Sequence, residues 1–312
     1  MEKPLVSIIA LCYNHAPFVL ASLDSVLCQD YPHIQLIIVD DASTDQSVPI
    51  IKQFIREKCP SAQSIFLEKN KGNCFAFNQG FQLAKGNYIV DLATDDLFLK
   101  DRISKQVLFF EKQAQKVGVI FSDVYLINET GKILGNFYKN KNPQTIPQGN
   151  VYEQLLQPTF ICSPSQMIRR EVLEELGGYD QNLSYEDFDF WVRSSRKWEY
   201  AFQNEILTKK RLLENSHGQT FYKKNNPHLA STLQVCQKAF AQNQHNSENK
   251  ALAVSVRYHL KLSFLTENFE IAHQFTNLLK KIDELTYQDR FWIFLIKNKI
   301  SVSKLYQLYR KL

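Results

Sequence analysis

Five short apolar runs, each separated from the next by a segment of helical periodicity, fill the first 125 residues, and this alternation leaves the chain few folds to choose from. LVSIIAL (5–11), IQLIIVD (34–40), SIFLE (64–68), NYIVDLA (87–93) and VGVIFSD (117–123) are rich in Ile and Val and read as strands. Segments 17–29, 45–58, 73–85 and 101–116 repeat apolar residues at helical spacing. Pro17 and Asp45 suit helix starts, and Gly86 follows the third segment as a C-cap would. Continuous apolar strands alternating with helices predict an α/β fold whose mostly parallel sheet is covered on both faces. Ligands of such sheets lie beyond the carboxyl ends of the strands. Those ends read Leu11-Cys12-Tyr13-Asn14, Asp40-Asp41, Glu68-Lys69-Asn70 and Asp95-Asp96, so carboxylates collect along one edge.

Three acidic motifs stand out. NYIVDLATDD (87–96) carries Asp95 and Asp96 side by side at the end of an apolar run, a costly arrangement unless a cation or hydrogen-bond donors offset the repulsion. IVDDASTD (38–45) ends a strand in Asp40 and Asp41; a plain turn capped by Asp45 explains it equally well. SYEDFDFWVR (184–193) opens a helix with Glu186 and Asp187, where acids also suit the helix dipole. ICSPSQMIRR (161–170) offers Ser163, Ser165, Arg169 and Arg170, with two surface arginines as the simpler reading.

After residue 125 the pattern changes. VYLINETGKILGNFY predicts a hairpin turning at Glu129-Thr130-Gly131, and the sequence reads helical from about 227 to the end. Net charge is −2 over 1–125, −2 over 126–200 and +9 over 201–312, so the basic excess belongs to the last third. There, YQDRFWIFLIKNKISVSKLYQLYRKL (287–312) sets Phe291, Trp292, Phe294, Leu295 and Ile296 beside Arg290, Lys297, Lys299, Lys304, Arg310 and Lys311. Such a segment suits either an anionic membrane surface or packing against the protein or a second subunit. Its aromatic spacing matches no single-strand nucleic-acid module, and nucleic acid is not an expected partner. No run approaches the ~20 apolar residues of a membrane span, and no apolar leader segment follows Met1. The six cysteines form no CxxC pair and the seven histidines no HExxH, which argues for free thiols in a reducing cytoplasm and against a zinc site.

Taken together, VSIIALCYNHAPFVLASLDSVLCQDYPHIQLIIVDDASTD, NKGNCFAFNQGFQLAKGNYIVDLATDDLFLKDRI and LGGYDQNLSYEDFDFWVR resemble, in order and spacing, the family-2 glycosyltransferases of GT-A fold over about residues 4–216. The resemblance implies a Rossmann-like, mostly parallel sheet flanked by helices. A catalytic domain would span 1–220, with residues 1–125 binding the nucleotide sugar and residues 126–220 the acceptor, and a helical extension would span 221–312. It implies an inverting, metal-dependent enzyme that uses a nucleotide-diphosphate sugar, with a UDP-sugar favoured. A glycan or lipid-linked acceptor would fit bacterial surface polysaccharide or lipooligosaccharide assembly. The expected location is cytoplasmic, or peripheral at the inner face of the plasma membrane. Donor contacts map onto Leu11, Tyr13, Asn14, Asp40, Asp41, Asp45, Lys71, Asn78 and Asp95, with Tyr13 on the base and Asp41 hydrogen-bonded to it. Asp96 and Asp95 would hold Mg²⁺ or Mn²⁺, Asp96 being favoured as ligand and Asp95 nearer the ribose. Asp187 matches the catalytic base; Gly178, Tyr179, Glu186 and Trp191 would border the acceptor.

The chain also departs from the family pattern. Ala93 stands where LDxDD has its first Asp, Phe77 where many members have a phosphate-reaching Arg, and the late RxH reads Arg211-Leu212-Leu213. Phosphate neutralisation then falls to the metal and to Lys69, Lys71 or Arg211. These losses support one rival reading, a catalytically silent relative that binds nucleotide sugar or scaffolds a membrane complex.

Overall fold

The computed structural model describes residues 3–157, 160–213, 217–224, 226–303 and 306. Of the basic C-terminal residues, Lys304, Arg310 and Lys311 lie outside the described residues. In chain order the first elements are β1 (Val6–Cys12), α1 (Val19–Leu27), β2 (Ile34–Asp40), α2 (Ser47–Glu57), β3 (Gln63–Phe66), α3 (Asn73–Leu83) and β4 (Tyr88–Ala93). They are followed by β5 (Leu97–Phe98), α4 (Arg102–Phe110), β6 (Val117–Ile127), β7 (Ile133–Asn136), a single turn α5 (Tyr152–Leu155), β8 (Met167–Arg169) and α6 (Arg170–Leu176). Then come α7 (Asp187–Ser194), β9 (Glu199–Arg211), another turn α8 (His217–Thr220), α9 (His228–Gln242), α10 (Asn246–Leu265), α11 (Phe269–Ile282) and α12 (Tyr287–Lys297).

Two compact units result, the first made of residues 1–151, 160–181 and 194–212, the second of 152–159, 182–193 and 213–312. Unit 1 is built on one mixed sheet of order β3-β2-β1-β4-β8-β6-β9-β5, with β7 paired to β6. Its first four strands are parallel: Val6 lies against Ile34 and Tyr88, and Cys12 against Asp40. Ile8, Ile9, Ile37, Ile38, Ile89 and Val90 are fully buried, because these strands have helices or core on both faces. The alternation read from sequence is therefore the real organising feature, and the expected hairpin forms between Tyr125 and Asn136. One local expectation fails. Gly86 does not cap α3; Ala84 does, in extended conformation. Gly86 instead lets the chain pass against Ser7, whose hydroxyl accepts its N–H (2.8 Å) and whose backbone nitrogen a Cβ would strike.

Unit 2 is helical. Leu252, Val256, Leu260 and Phe264 of α10 meet Phe275 and Leu279 of α11, Leu233 and Cys236 of α9, and Ile296 of α12 in one apolar core. A capping box starts α12, Thr286 exchanging hydrogen bonds with Asp289. Among the described residues no helix is long and apolar enough to cross a membrane. All six cysteines are free, four of them buried.

Candidate active site

The parallel register brings the carboxyl ends of β1, β2 and β4 to one edge of the sheet, and short polar side chains lace them together. Asp40, the last residue of β2, accepts the Ser43 N–H at Oδ1 (2.8 Å) and the Ser43 hydroxyl at Oδ2 (2.6 Å). The same hydroxyl oxygen accepts the Asn14 N–H (2.9 Å), and Asn14 Oδ1 accepts the Thr44 N–H (2.8 Å). Asp45 takes the N–H groups of Ala16 and Ser47, both at 2.9 Å, which together with its hydrogen bond to the Ser47 hydroxyl holds its carboxyl below the usual range despite the opposing pull of desolvation. Asn14 (φ 56°) and Ala42 (φ 62°) both sit in the left-handed region, a cost accepted where a loop must be held in one shape. Above this lattice Tyr13 stands 45% exposed, while Leu11 remains in the ladder between Val39 and Ala93.

Asp41 faces the other way. Only 5% exposed, it accepts the backbone N–H groups of Lys71 (2.7 Å) and Gly72 (2.8 Å) and so fixes the turn before α3, with the Lys71 side chain left in solvent. Asn78 is turned into the protein as well. Its amide nitrogen donates to the Tyr179 carbonyl (2.8 Å) and its oxygen accepts the Tyr179 N–H (2.9 Å). Gly178 (φ +81°) makes that clamp possible, since a Cβ there would strike Asn78 Oδ1. The Tyr179 ring stacks on fully buried Phe77, centroids 4.0 Å apart. The Phe that replaces the family's Arg is thus a core residue beneath Tyr179.

Asp95 and Asp96 form the turn after β4. Asp96 is 3% exposed; its Oδ1 accepts the Arg211 N–H (2.7 Å), and burial beside the Asp95 charge pushes its carboxyl well above the ordinary range. Asp95 is more open, with Oδ1 4.0 Å from Nδ1 of His15, whose ring is 2.9 Å from the Thr94 hydroxyl. Arg211 is engaged rather than open to a phosphate: it donates to the carbonyls of Asp95 (2.9 Å), Asn128 (2.9 Å) and Glu129 (2.7 Å), against the Phe18 ring. Among the described residues no three acidic, His or Cys side chains gather as a complete metal cage. The donor set instead fits a hard cation shared between one or two carboxylates and the phosphates of a bound nucleotide, which would relieve the charge buried at Asp96.

In unit 2, Glu186 and Asp187 stand half-buried at the start of α7, and Trp191 is packed in the core. Tyr185 is held by the Thr232 hydroxyl (2.7 Å) and by ring contacts with Phe221 and His228. The fixed point of the helix is Asp189, 1% exposed and ion-paired to Arg193 (2.6 Å) and Lys238 (2.7 Å). Sequence reasoning passed over Asp189, although its i,i+4 spacing to Arg193 was readable; Lys238, 49 positions away, was not. His15 was missed for the same reason. The residues of ICSPSQMIRR serve the fold: Arg169 donates to the Val117 carbonyl (2.8 Å) and Arg170 pairs with Glu174 (2.6 Å).

A model of the family described as glycosyl transferase family 2 matches residues 7–177. TuaG of Bacillus subtilis, a glycosyltransferase named for teichuronic acid biosynthesis, is 32% identical over 216 residues, which span 69% of this chain and 81% of TuaG. Residues 1–349 of Staphylococcus aureus TarS, solved in complex with UDP, superpose with TM-score 0.70 over 95% of this chain and 87% of theirs at 16% identity. The mannosyltransferase PcManGT of Pyrobaculum calidifontis, solved with GDP-Man and Mn²⁺, gives TM-score 0.60 over 100% of this chain and 89% of its own at 17% identity. At such identities the structural likeness is one of fold, which is GT-A. The chain belongs to glycosyl transferase family 2.

Proposed function

We propose that this family 2 glycosyltransferase transfers a sugar, with inversion, from a UDP-sugar to a hydroxyl of a glycan or lipid-linked acceptor in bacterial surface-polymer assembly. The observation that carries the reading is the meeting of Tyr13, the Asp40–Asp45 loop and the Asp95–Asp96 pair at one edge of the unit 1 sheet, where α/β proteins bind nucleotides. TarS bound to UDP, PcManGT bound to GDP-Man and Mn²⁺, and the name of TuaG support the donor class and the polymer.

In this mechanism the exposed Tyr13 ring packs on the base, the 40–45 loop lines the nucleoside, and Asp95 reaches the ribose. Asp95 and Asp96 would hold Mg²⁺ or Mn²⁺, whose chemistry when bound is neutralisation of the departing diphosphate. Asp187 takes the acceptor's proton as its oxygen forms the new bond to the anomeric carbon; the bond to the diphosphate breaks and the electron pair leaves with the phosphate. Residues 1–220 form the catalytic domain and 221–312 the helical extension. The extension seats the enzyme on anionic lipid: Phe291 (57% exposed) and Phe294 (60%) of α12 stand beside solvent-facing Arg290 and Lys297.

The test is calorimetric titration with UDP, GDP and dTDP, each with Mn²⁺ and with EDTA. Mn²⁺-dependent binding of UDP is expected, and Asp187→Asn should keep that Kd while abolishing UDP release from the sugar donor. Absence of binding by all three nucleotides refutes the reading in favour of a silent scaffold.

A further inference from the structure

His15 has no role in the mechanism above, yet it joins the starts of α1 and α2 to the turn after β4. Its backbone N–H donates to the Ser47 hydroxyl (3.0 Å) at the start of α2, and the next N–H, of Ala16, is held by Asp45 (2.9 Å). Its carbonyl accepts the N–H groups of Phe18 (2.8 Å) and Val19 (2.9 Å), which starts α1. With the backbone fixed from both sides, the ring has little freedom. It reaches across to β4, where Nδ1 is 2.9 Å from the Thr94 hydroxyl and 4.0 Å from Asp95 Oδ1. Thr94 is fully buried, so His15 satisfies a hydroxyl that water does not reach.

We propose that His15 is a positioning residue that couples the nucleotide pocket to the carboxylate pair, so that donor nucleotide and divalent cation bind cooperatively. The inference rests on the donor-and-cation reading given above. The backbone of β4 is held independently, Thr94 N–H donating to the Leu11 carbonyl (3.0 Å) and residues 88–93 pairing with β1. Loss of the ring therefore leaves the fold, the Ser47 bond of the His15 backbone and the nucleoside pocket in place, and loosens only the side-chain link from His15 to Thr94 and Asp95. Cation-linked binding feels that change; cation-free binding does not. Coupling of this kind is the ratio of nucleotide affinities with and without the metal, and it is reciprocal.

The experiment titrates wild type and His15→Ala, His15→Asn and His15→Gln with whichever of UDP and GDP the wild type binds more tightly, in Mn²⁺ and in EDTA. Loss of one hydrogen bond's positioning corresponds to about fivefold. His15→Ala should weaken binding in Mn²⁺ by about that factor and leave the EDTA Kd within about twofold. An Asn amide sits where Nδ1 does and a Gln amide where Nε2 does, so His15→Asn should recover most of the Mn²⁺-dependent gain and His15→Gln little of it. If His15→Ala lowers the melting temperature, the Asn and Gln pair still decides. Unchanged Mn²⁺ affinity in His15→Ala, equal losses with Mn²⁺ and EDTA, or indistinguishable Asn and Gln variants would each overturn the inference alone. A wild type with no Mn²⁺-dependent gain overturns the donor-and-cation reading and this inference with it.

Discussion

Asp96→Asn should move stability and function in opposite directions. The Asn side chain keeps the volume of Asp96 and the acceptor for the Arg211 N–H, and removes only the charge. Without a cation that charge is a burden, because burial and the neighbouring Asp95 raise its carboxyl above the ordinary range. A carboxyl raised on folding contributes its full stability below the unfolded pKa near 4 and loses it as pH rises toward the folded value. Each pH unit by which the carboxyl is raised costs about 1.4 kcal/mol once the pH is above the folded midpoint. Asn never ionises, so in EDTA at pH 7.5 the variant should be more stable by a few kcal/mol and melt several degrees higher. The gap should narrow as pH falls and close below about 4. With Mn²⁺ and UDP the order should reverse, since the wild type gains RT ln(1 + [L]/Kd) and the variant gains little. Differential scanning fluorimetry across pH, in EDTA and in Mn²⁺ with UDP, reads all of this. A variant that melts below the wild type in EDTA, or is stabilised equally by Mn²⁺ and UDP, refutes the reasoning.

Gly178→Ala forces a side chain into the left-handed region and onto Asn78 Oδ1, breaking the two-bond clamp on Tyr179; denaturant unfolding should show a loss of about 2–4 kcal/mol. Glu267 is held down to about 2 by Lys224, Ser301 and Ser303, so its contribution is complete above pH 4.5 and is lost as pH falls toward 2. Glu267→Gln should therefore lower the melting temperature by a few degrees at pH 7, no more because Lys224 stands in solvent, and the difference should shrink as pH falls from 4.5 toward 2. Replacing Phe291 and Phe294 by Ser should cut co-sedimentation with vesicles of anionic lipid several-fold without lowering stability, both side chains being more than half exposed; equal sedimentation would remove the membrane role.

The fold of residues 1–125 was legible because a parallel sheet covered on both faces leaves one signature, the nearly continuous apolar strand, and β1, β2 and β4 carry it, interrupted only by Ser7, Gln35 and Asp91 before their ends. Helix ends were less so: the segment read as 101–116 stops at Phe110, and Gly86 marks a close approach to Ser7 rather than a cap. At the candidate site the residue types were legible and their partners were not. Asp41 at a strand end looks like a ligand contact, whereas its oxygens meet the N–H groups of residues 30 and 31 positions on. Asn78 and Tyr179 are 101 apart, and His15 and Thr94 are 79 apart. Side-chain pairing at such separations leaves no periodic trace in one sequence.

What local rules could not predict, their violations locate. Non-glycine residues in the left-handed region at Asn14 and Ala42, each a cost of about 1–3 kcal/mol, flank the ends of β1 and β2. Two like charges, one of them buried, follow β4. These three strands are adjacent and parallel, so these violations meet on one edge of one sheet, while the other left-handed non-glycine residues, Asn140, Glu267 and Lys299, belong to other segments. Strain and buried charge scattered through a fold would each need a separate explanation. Gathered at the edge where α/β proteins take their ligands, they need one: the edge is shaped for a ligand, which is what the proposed donor site requires. The departures at Phe77 and Arg211 fit this too. Phe77 stacks under Tyr179 and the Arg211 guanidinium is held by three carbonyls, so neither is placed to neutralise phosphate, and in the proposed mechanism that task would fall to a cation at Asp95 and Asp96. A donor edge with fewer fixed cations should depend more steeply on the divalent ion, and that dependence is what Asp96→Asn and the His15 variants measure from two sides.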